Sequence, residues 1–127
     1  MDFTNYLADK LVNVTVRNIG YATPAKVYLA LFKTNPTKEF IGIEVTGESY
    51  TRPNVTFAEP VDGVSQNPGQ VTYAVATTNW GYVGWVGVMD SKEGGNLLYF
   101  TALENPKNIL TGDQLKFKPT EITLTLT

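Results

Sequence analysis

The chain of 127 residues contains neither cysteine nor histidine. Without cysteine there is no thiol nucleophile, no disulfide framework and no zinc–thiolate site. Without histidine the commonest general base, the usual triad partner and the commonest metal ligand are missing. An enzyme built on this chain would have to work with carboxylates, lysine, tyrosine or serine, as glycosidases with paired carboxylates do. No enzymatic activity and no cofactor are expected. Charge is also scarce: 17% of residues are charged and the net charge is −2, against roughly 25% charged in an ordinary soluble domain. That leaves no basic surface for phosphate, so nucleic acid is not an expected partner. A surface with so few charges is expected to be partly covered by other protein. No stretch approaches the roughly 20 apolar residues of a membrane-spanning helix, so no membrane partner is expected. The opening "MDFTNYLADKL" carries an acidic residue and no uninterrupted apolar run, which does not fit a signal peptide. Synthesis in a cytoplasm is the expectation.

What is present reads as one β-rich domain over residues 1–127 with a single helix at its start. In "FTNYLADKLVNVTVRN" the residues Phe3, Leu7, Leu11 and Val14 fall at helical spacing and make one apolar stripe. Thr4 or Asn5 can cap the helix, which is placed at about residues 4–17 and stopped by "NIGY". From about residue 26 onward the pattern changes to short β-type runs between turn residues. "KVYLALFK", "FIGIEV", "SYTRPNVTF", "VTYAVA", "WGYVGWVGVMD", "LLYFTAL", "LKFK" and "EITLTLT" are the candidate strands. Pro53 assigns its run to an edge or a bulge. "EPVDGVSQNPGQ" and "ENPKNILTGDQ" read as loops. "SKEGGN" reads as a hairpin turn, with residues 82–102 forming the hairpin. In the last run Ile122, Leu124 and Leu126 alternate with Thr123, Thr125 and Thr127, as in a half-buried strand. About eight strands with regular turn signals predict a mainly β fold, an antiparallel β-sandwich or small barrel with one N-terminal helix.

Motifs with chemistry are weak. The glycines of "GYVGWVG" lie in a strand pattern with no following helix to hold a phosphate. Asp90 and Glu93 flank a turn beside Gly94 and Gly95 but supply too few oxygens for a calcium loop; they read as solvated turn residues. Glu44, Glu48 and Glu59 contain a conceivable carboxylate pair for glycoside hydrolysis, though nothing in the spacing places two of them across a cleft.

The remaining feature is "NWGYVGWVGVMDS", which holds both tryptophans, Trp80 and Trp85, with Tyr82. Strict alternation sets Tyr82, Gly84, Val86 and Val88 on one face and Val83, Trp85, Gly87 and Met89 on the other. Both faces are apolar, as in a central strand covered on both sides. Trp85 reads as core. Trp80 and Tyr82, at the strand entrance, are candidate protein-contact residues, because both residue types are favoured at interfaces. Phe3 and Leu7 are candidate contacts on the helix, and "EITLTLT" is a candidate pairing edge. A competing reading makes Trp80, Tyr82 and Trp85 a carbohydrate-binding platform for host-surface glycans.

Four stretches in order resemble a widespread family of small tailed-phage virion proteins, usually labelled phage tail fibre proteins. They are "TNYLADKLVN", "YATPAKVYLALFKTNPT", "EVTGESYTRPNVTF" with Gly47, Tyr50 and Arg52, and "TTNWGYVGWVGVMDSKEGGNLLYFTALENPKNILTGDQLKF". Family members often carry "ADWGTVTHVGIFDAATGGNLLF" at the last of these. This chain differs by placing Tyr82 and Trp85 at small polar positions, and it lacks the histidine often found there. The resemblance implies a non-enzymatic structural protein of a bacteriophage particle, of tail-fibre or capsid-decoration type. It implies contacts with other virion proteins and with copies of itself, a trimer being favoured. It brings no catalytic or metal residue.

Overall fold

The structure is a computed structural model that describes residues 1–126; the Thr127 position expected in the last strand lies outside the described residues. The elements are β1 (Asp2–Phe3), α1 (Asn5–Val16), β2 (Val27–Phe32), β3 (Asn54–Val55), β4 (Val64–Gln66), β5 (Val71–Thr72), β6 (Gly81–Met89), β7 (Leu97–Ile109), β8 (Lys116–Phe117) and β9 (Thr123–Thr125). Five strands form one sheet in the order β1-β7-β6-β2-β3, while β4-β9 and β5-β8 form two small sheets. All pairings are antiparallel. The fold is mainly β and sandwich-like, without a closed barrel among the described residues. No helix among them is long and apolar enough to cross a membrane.

The large sheet buries both faces, which is why "VYLALF" reads as a continuous apolar run. Leu29 and Leu31 of β2 join the main core with Val71, Tyr73, Phe117 and Ile122 from the small-sheet side. Ala30 and Phe32 face the opposite way, into a second cluster with Met89, Leu97 and Phe100. Apolar burial of this kind stabilises by roughly 25 cal/mol per Å².

The helix begins where its cap chemistry dictates. Thr4 Oγ1 accepts from the Leu7 N–H (3.4 Å) and donates to the Leu97 carbonyl (2.6 Å). One hydroxyl thus caps α1 and ties it to β7. Thr4→Ala is expected to cost about 1–2 kcal/mol, cap and tether together, and Thr4→Ser to restore most of it; urea denaturation reads both. The expected stripe buries only at its start. Leu7 is buried, whereas Val14 is exposed, together with Val12 and Val16. Among the described residues nothing covers the valines in the second half of α1.

Four strand readings change. "FIGIEV" is not a strand: Gly42 sits at φ +80°, and only an isolated bridge joins Glu44 to Phe32. The loop "EPVDGVSQNPGQ" contains β4, which is recruited by β9 rather than by any local propensity. The loop "ENPKNILTGDQ" begins as strand, because β7 continues to Ile109 and pairs again with the start of β6. Pro106 is tolerated there because β1 covers β7 only at Tyr99 and Phe100, so this end is an edge. Finally, the register slips between Val83 and Trp85. Val83 therefore joins Val86 and Val88 in the main core, and strict alternation fails. Across the slip β6 advances two residues, from Val83 to Trp85, while β7 spans five, from Lys107 to Ala102, and such irregularities re-aim side chains.

Candidate interaction site

The slip in β6 decides where its aromatic residues go. Tyr82 is 48% exposed and meets Trp85 edge-on, with ring centroids 6.3 Å apart and planes at 75°. A Cβ at Gly84 would lie 2.9 Å from the Tyr82 ring, so that glycine is the seat on which the ring rests. Trp85 is half-buried and packs on the second core cluster. Trp80 is fully buried, contrary to its expected place at a partly open strand entrance. It packs edge-on against Tyr50 (5.4 Å, 88°) and Tyr73 (6.4 Å, 72°). The three rings therefore form no common platform. A sugar needs coplanar exposed rings, and here one ring is inside and the other two are nearly perpendicular.

Of the two contact candidates expected on the helix, Leu7 lies in α1 and is buried, whereas Phe3 belongs to β1, paired to β7, and is partly exposed. Lys38 lies over the Phe3 ring at 4.7 Å, and the Lys38 carbonyl accepts from the Asn5 N–H (2.9 Å). This contact seats the 37–41 segment beside the first turn of α1, where Thr4, Tyr6, Asp9, Phe40 and Leu97 line one shallow groove. Phe40 is 72% exposed and Ile43 60%. Sequence reading assigned both to a strand and so missed them as surface; the clue was Gly42 within the apolar run.

The residues Gly47, Tyr50 and Arg52 turn out to be a structural lock. Arg52 grips Glu44 with two parallel bonds, Nε to Oε2 (2.8 Å) and Nη2 to Oε1 (2.7 Å). Its Nη1 donates to the carbonyls of Ser91 (2.9 Å) and Gly94 (2.8 Å) in the hairpin turn. Tyr50 donates to Glu44 Oε2 (2.6 Å) and accepts from the Leu31 N–H (3.0 Å). A Cβ at Gly47 would lie 2.7 Å from the Trp80 indole. The motif thus joins three segments: the 44–52 connection, β2 and the β6–β7 turn. Glu44, one of the three carboxylates expected as a hydrolytic pair, is thus engaged in the lock, while Glu48 and Glu59 are exposed on the surface.

Asp90 is also committed locally. Its oxygens accept from the Asn96 N–H (2.7 Å) and Asn96 Nδ2 (3.0 Å), while Gly94 and Gly95 take positive φ. Among the described residues no group of three or more acidic side chains is placed to hold a metal ion.

The buried phenols make stability sensitive to alkali. Burial, followed by the hydrogen bond to Glu44, raises Tyr50 above its ordinary 10.0. Burial pushes Tyr73 well above the same value, and its hydroxyl donates to the Leu29 carbonyl (2.7 Å). Because the folded state holds these protons more tightly than the unfolded chain does, their contribution is complete below pH about 10 and falls as pH rises past that value. Denaturation midpoints are expected to drop steeply above pH about 10, and Tyr73→Phe should flatten the slope. An equally steep slope in Tyr73→Phe and Tyr50→Phe would remove this explanation.

The site therefore presents exposed apolar side chains on a β frame, and the Glu44–Tyr50–Arg52 cluster is engaged in holding that frame. No curated protein matches the chain. A family model described as podophage GP4 fiber I protein gp80 matches residues 2–125, which spans every element from β1 to β9, and the chain belongs to this phage fibre family.

Proposed function

We propose that the chain works as a non-enzymatic tail-fibre-type protein, a single β domain that assembles through protein–protein contacts. A member of a phage fibre family is a structural part of the virion. The observation that carries the finer reading is the match over residues 2–125, supported by the apolar groups exposed on the surface, Tyr82, Phe40 and Ile43 among them. Tyr82 with Trp85, and Phe3 and Phe40 on either side of Lys38, are the contact groups toward neighbouring virion proteins. Copies of the chain associate with one another, and three-fold order is the expected arrangement because it is common in fibres. Synthesis takes place in the cytoplasm of the bacterial host.

Immunogold labelling of intact particles tests the reading. Label confined to the tail, at a few copies per particle, is expected. Label spread over the shell would replace the fibre reading with capsid decoration, and unlabelled particles would overturn both.

A further inference from the structure

The strand β9 has one free side. Its partner β4 takes the even-numbered residues: the Asn67 N–H donates to the Ile122 carbonyl (3.2 Å) and the Leu126 N–H to the Gly63 carbonyl (2.8 Å). Leu124 stands opposite Ser65 between them. In an antiparallel pair both main-chain groups of a residue point to the same side, and the side alternates along the strand. Thr123 and Thr125 therefore turn their N–H and C=O groups away from β4. No described strand lies on that side, since the small sheet ends at β9.

Unpaired strand edges template the addition of another strand, and proteins blunt them with charge, proline or brevity. Other edges here carry such protection. β1 is two residues long and includes Asp2, β3 is two residues long and follows Pro53, and the outer part of β7 bears Glu104, Pro106 and Lys107. From Ile122 to Leu126 there is neither charge nor proline. A two-stranded sheet is also marginal alone and gains from further strands.

We propose that this edge pairs with the same edge of a second copy, antiparallel and centred on Leu124. The inference rests on the self-assembling reading above and names the segment that performs it. The register is self-consistent. Centring on Leu124 sets Thr123 opposite Thr125 of the partner subunit, and these are the residues whose main-chain groups face outward. Four hydrogen bonds close, two for each Thr–Thr pair. The intervening positions match apolar with apolar: Leu124 meets Leu124 of the partner subunit, and Ile122 meets Leu126 of the partner subunit. Thr–Thr and apolar cross-strand pairs are both favourable. The product is a four-stranded sheet, and the contact is isologous, the commonest symmetry of oligomers.

Thr125→Pro is the critical variant. The Thr125 N–H has no bond to β4, so proline removes an intermolecular donor and leaves the β4–β9 ladder whole. Light scattering across a concentration series should find the wild type in pairs, as dimers or as hexamers where a three-fold contact also forms. Thr125→Pro should halve that mass and weaken pairing by at least about tenfold, with an unchanged far-ultraviolet spectrum. Thr125→Lys, which places charge on the edge, should act in the same direction if the proline variant fails to fold. Hydrogen exchange gives an independent readout: the Thr123 and Thr125 amides should exchange slowly in the concentrated wild type and rapidly on dilution. An assembled wild type whose mass survives both substitutions, with both amides exchanging freely, overturns the edge and leaves self-assembly standing. A wild type that stays monomeric at every concentration overturns the pairing, while particle labelling still decides the fibre reading separately.

Discussion

Trp80→Ala is expected to destabilise the fold by about 3–5 kcal/mol, the range for truncating a fully buried large aromatic. Against a total stability of 5–15 kcal/mol, typical of single domains, that is a large share. Thermal unfolding should show a drop of roughly 10–20 °C in Tm. The size follows from position. Trp80 is inaccessible to solvent, touches the Tyr50 and Tyr73 rings, and fills the space that Gly47 leaves. Among the described residues its Nε1 has no hydrogen-bond partner, so the energy at stake is packing. Trp80→Phe should therefore retain a good part of the stability, since it discards volume but no bond. A Trp80→Ala protein with near-native Tm that fails only in binding would reverse the assignment and return this residue to the surface.

Removing Arg52 should cost about 3 kcal/mol. The guanidinium is buried and engages all three nitrogens, and Arg52→Met strands the Glu44 carboxylate together with the carbonyls of Ser91 and Gly94. Leaving one charge of a buried pair uncompensated is far more costly than removing both. The double variant Arg52→Met with Glu44→Gln should thus recover part of the loss, with a coupling of about 1–3 kcal/mol in a double-mutant cycle. Arg52→Lys should rescue poorly, because an ammonium cannot reproduce the two-bond grip and the two carbonyl contacts together. Hydrogen exchange should locate the damage: amides of the 91–96 turn are expected to lose protection first. Strict additivity of the two substitutions would show that the pair does not act as a unit.

The two predictions meet in one motif. Gly47, Tyr50 and Arg52 are spaced closely in sequence, yet each reports to a different partner: Trp80, Glu44 with the Leu31 N–H, and the hairpin turn. Nothing in their spacing reveals those partners. Glu44 in particular reads as a candidate acid for hydrolysis until Arg52 is seen against it. The resemblance to phage fibre proteins was visible in these residues, but their purpose was not. Family membership and mechanism are separate inferences, since a motif kept for packing looks the same in sequence as one kept for chemistry.

Much of the architecture was legible because it rests on local physics. Thr4 before an apolar stripe predicts the helix start, and glycines with polar neighbours predict the turn between β6 and β7. Runs such as "KVYLALF" and "YVGWVGVM" predict strands covered on both sides. The absence of cysteine and histidine removed whole classes of chemistry without reference to any fold. What failed was non-local. The strands β4 and the far end of β7 exist because partners distant in sequence supply their hydrogen bonds, and no propensity encodes a partner. The slip at Gly84 moved Val83 to the core side, beyond the reach of any strict two-residue period. Trp80 and Tyr82 stand two residues apart with similar side chains; one is buried and the other half exposed. The sequence by itself determined an antiparallel β protein with one capped helix, and it excluded chemistry that needs a thiol or an imidazole. Only the tertiary structure decided which aromatic groups, and which strand edges, remain free for contact, because burial depends on what the rest of the chain brings alongside.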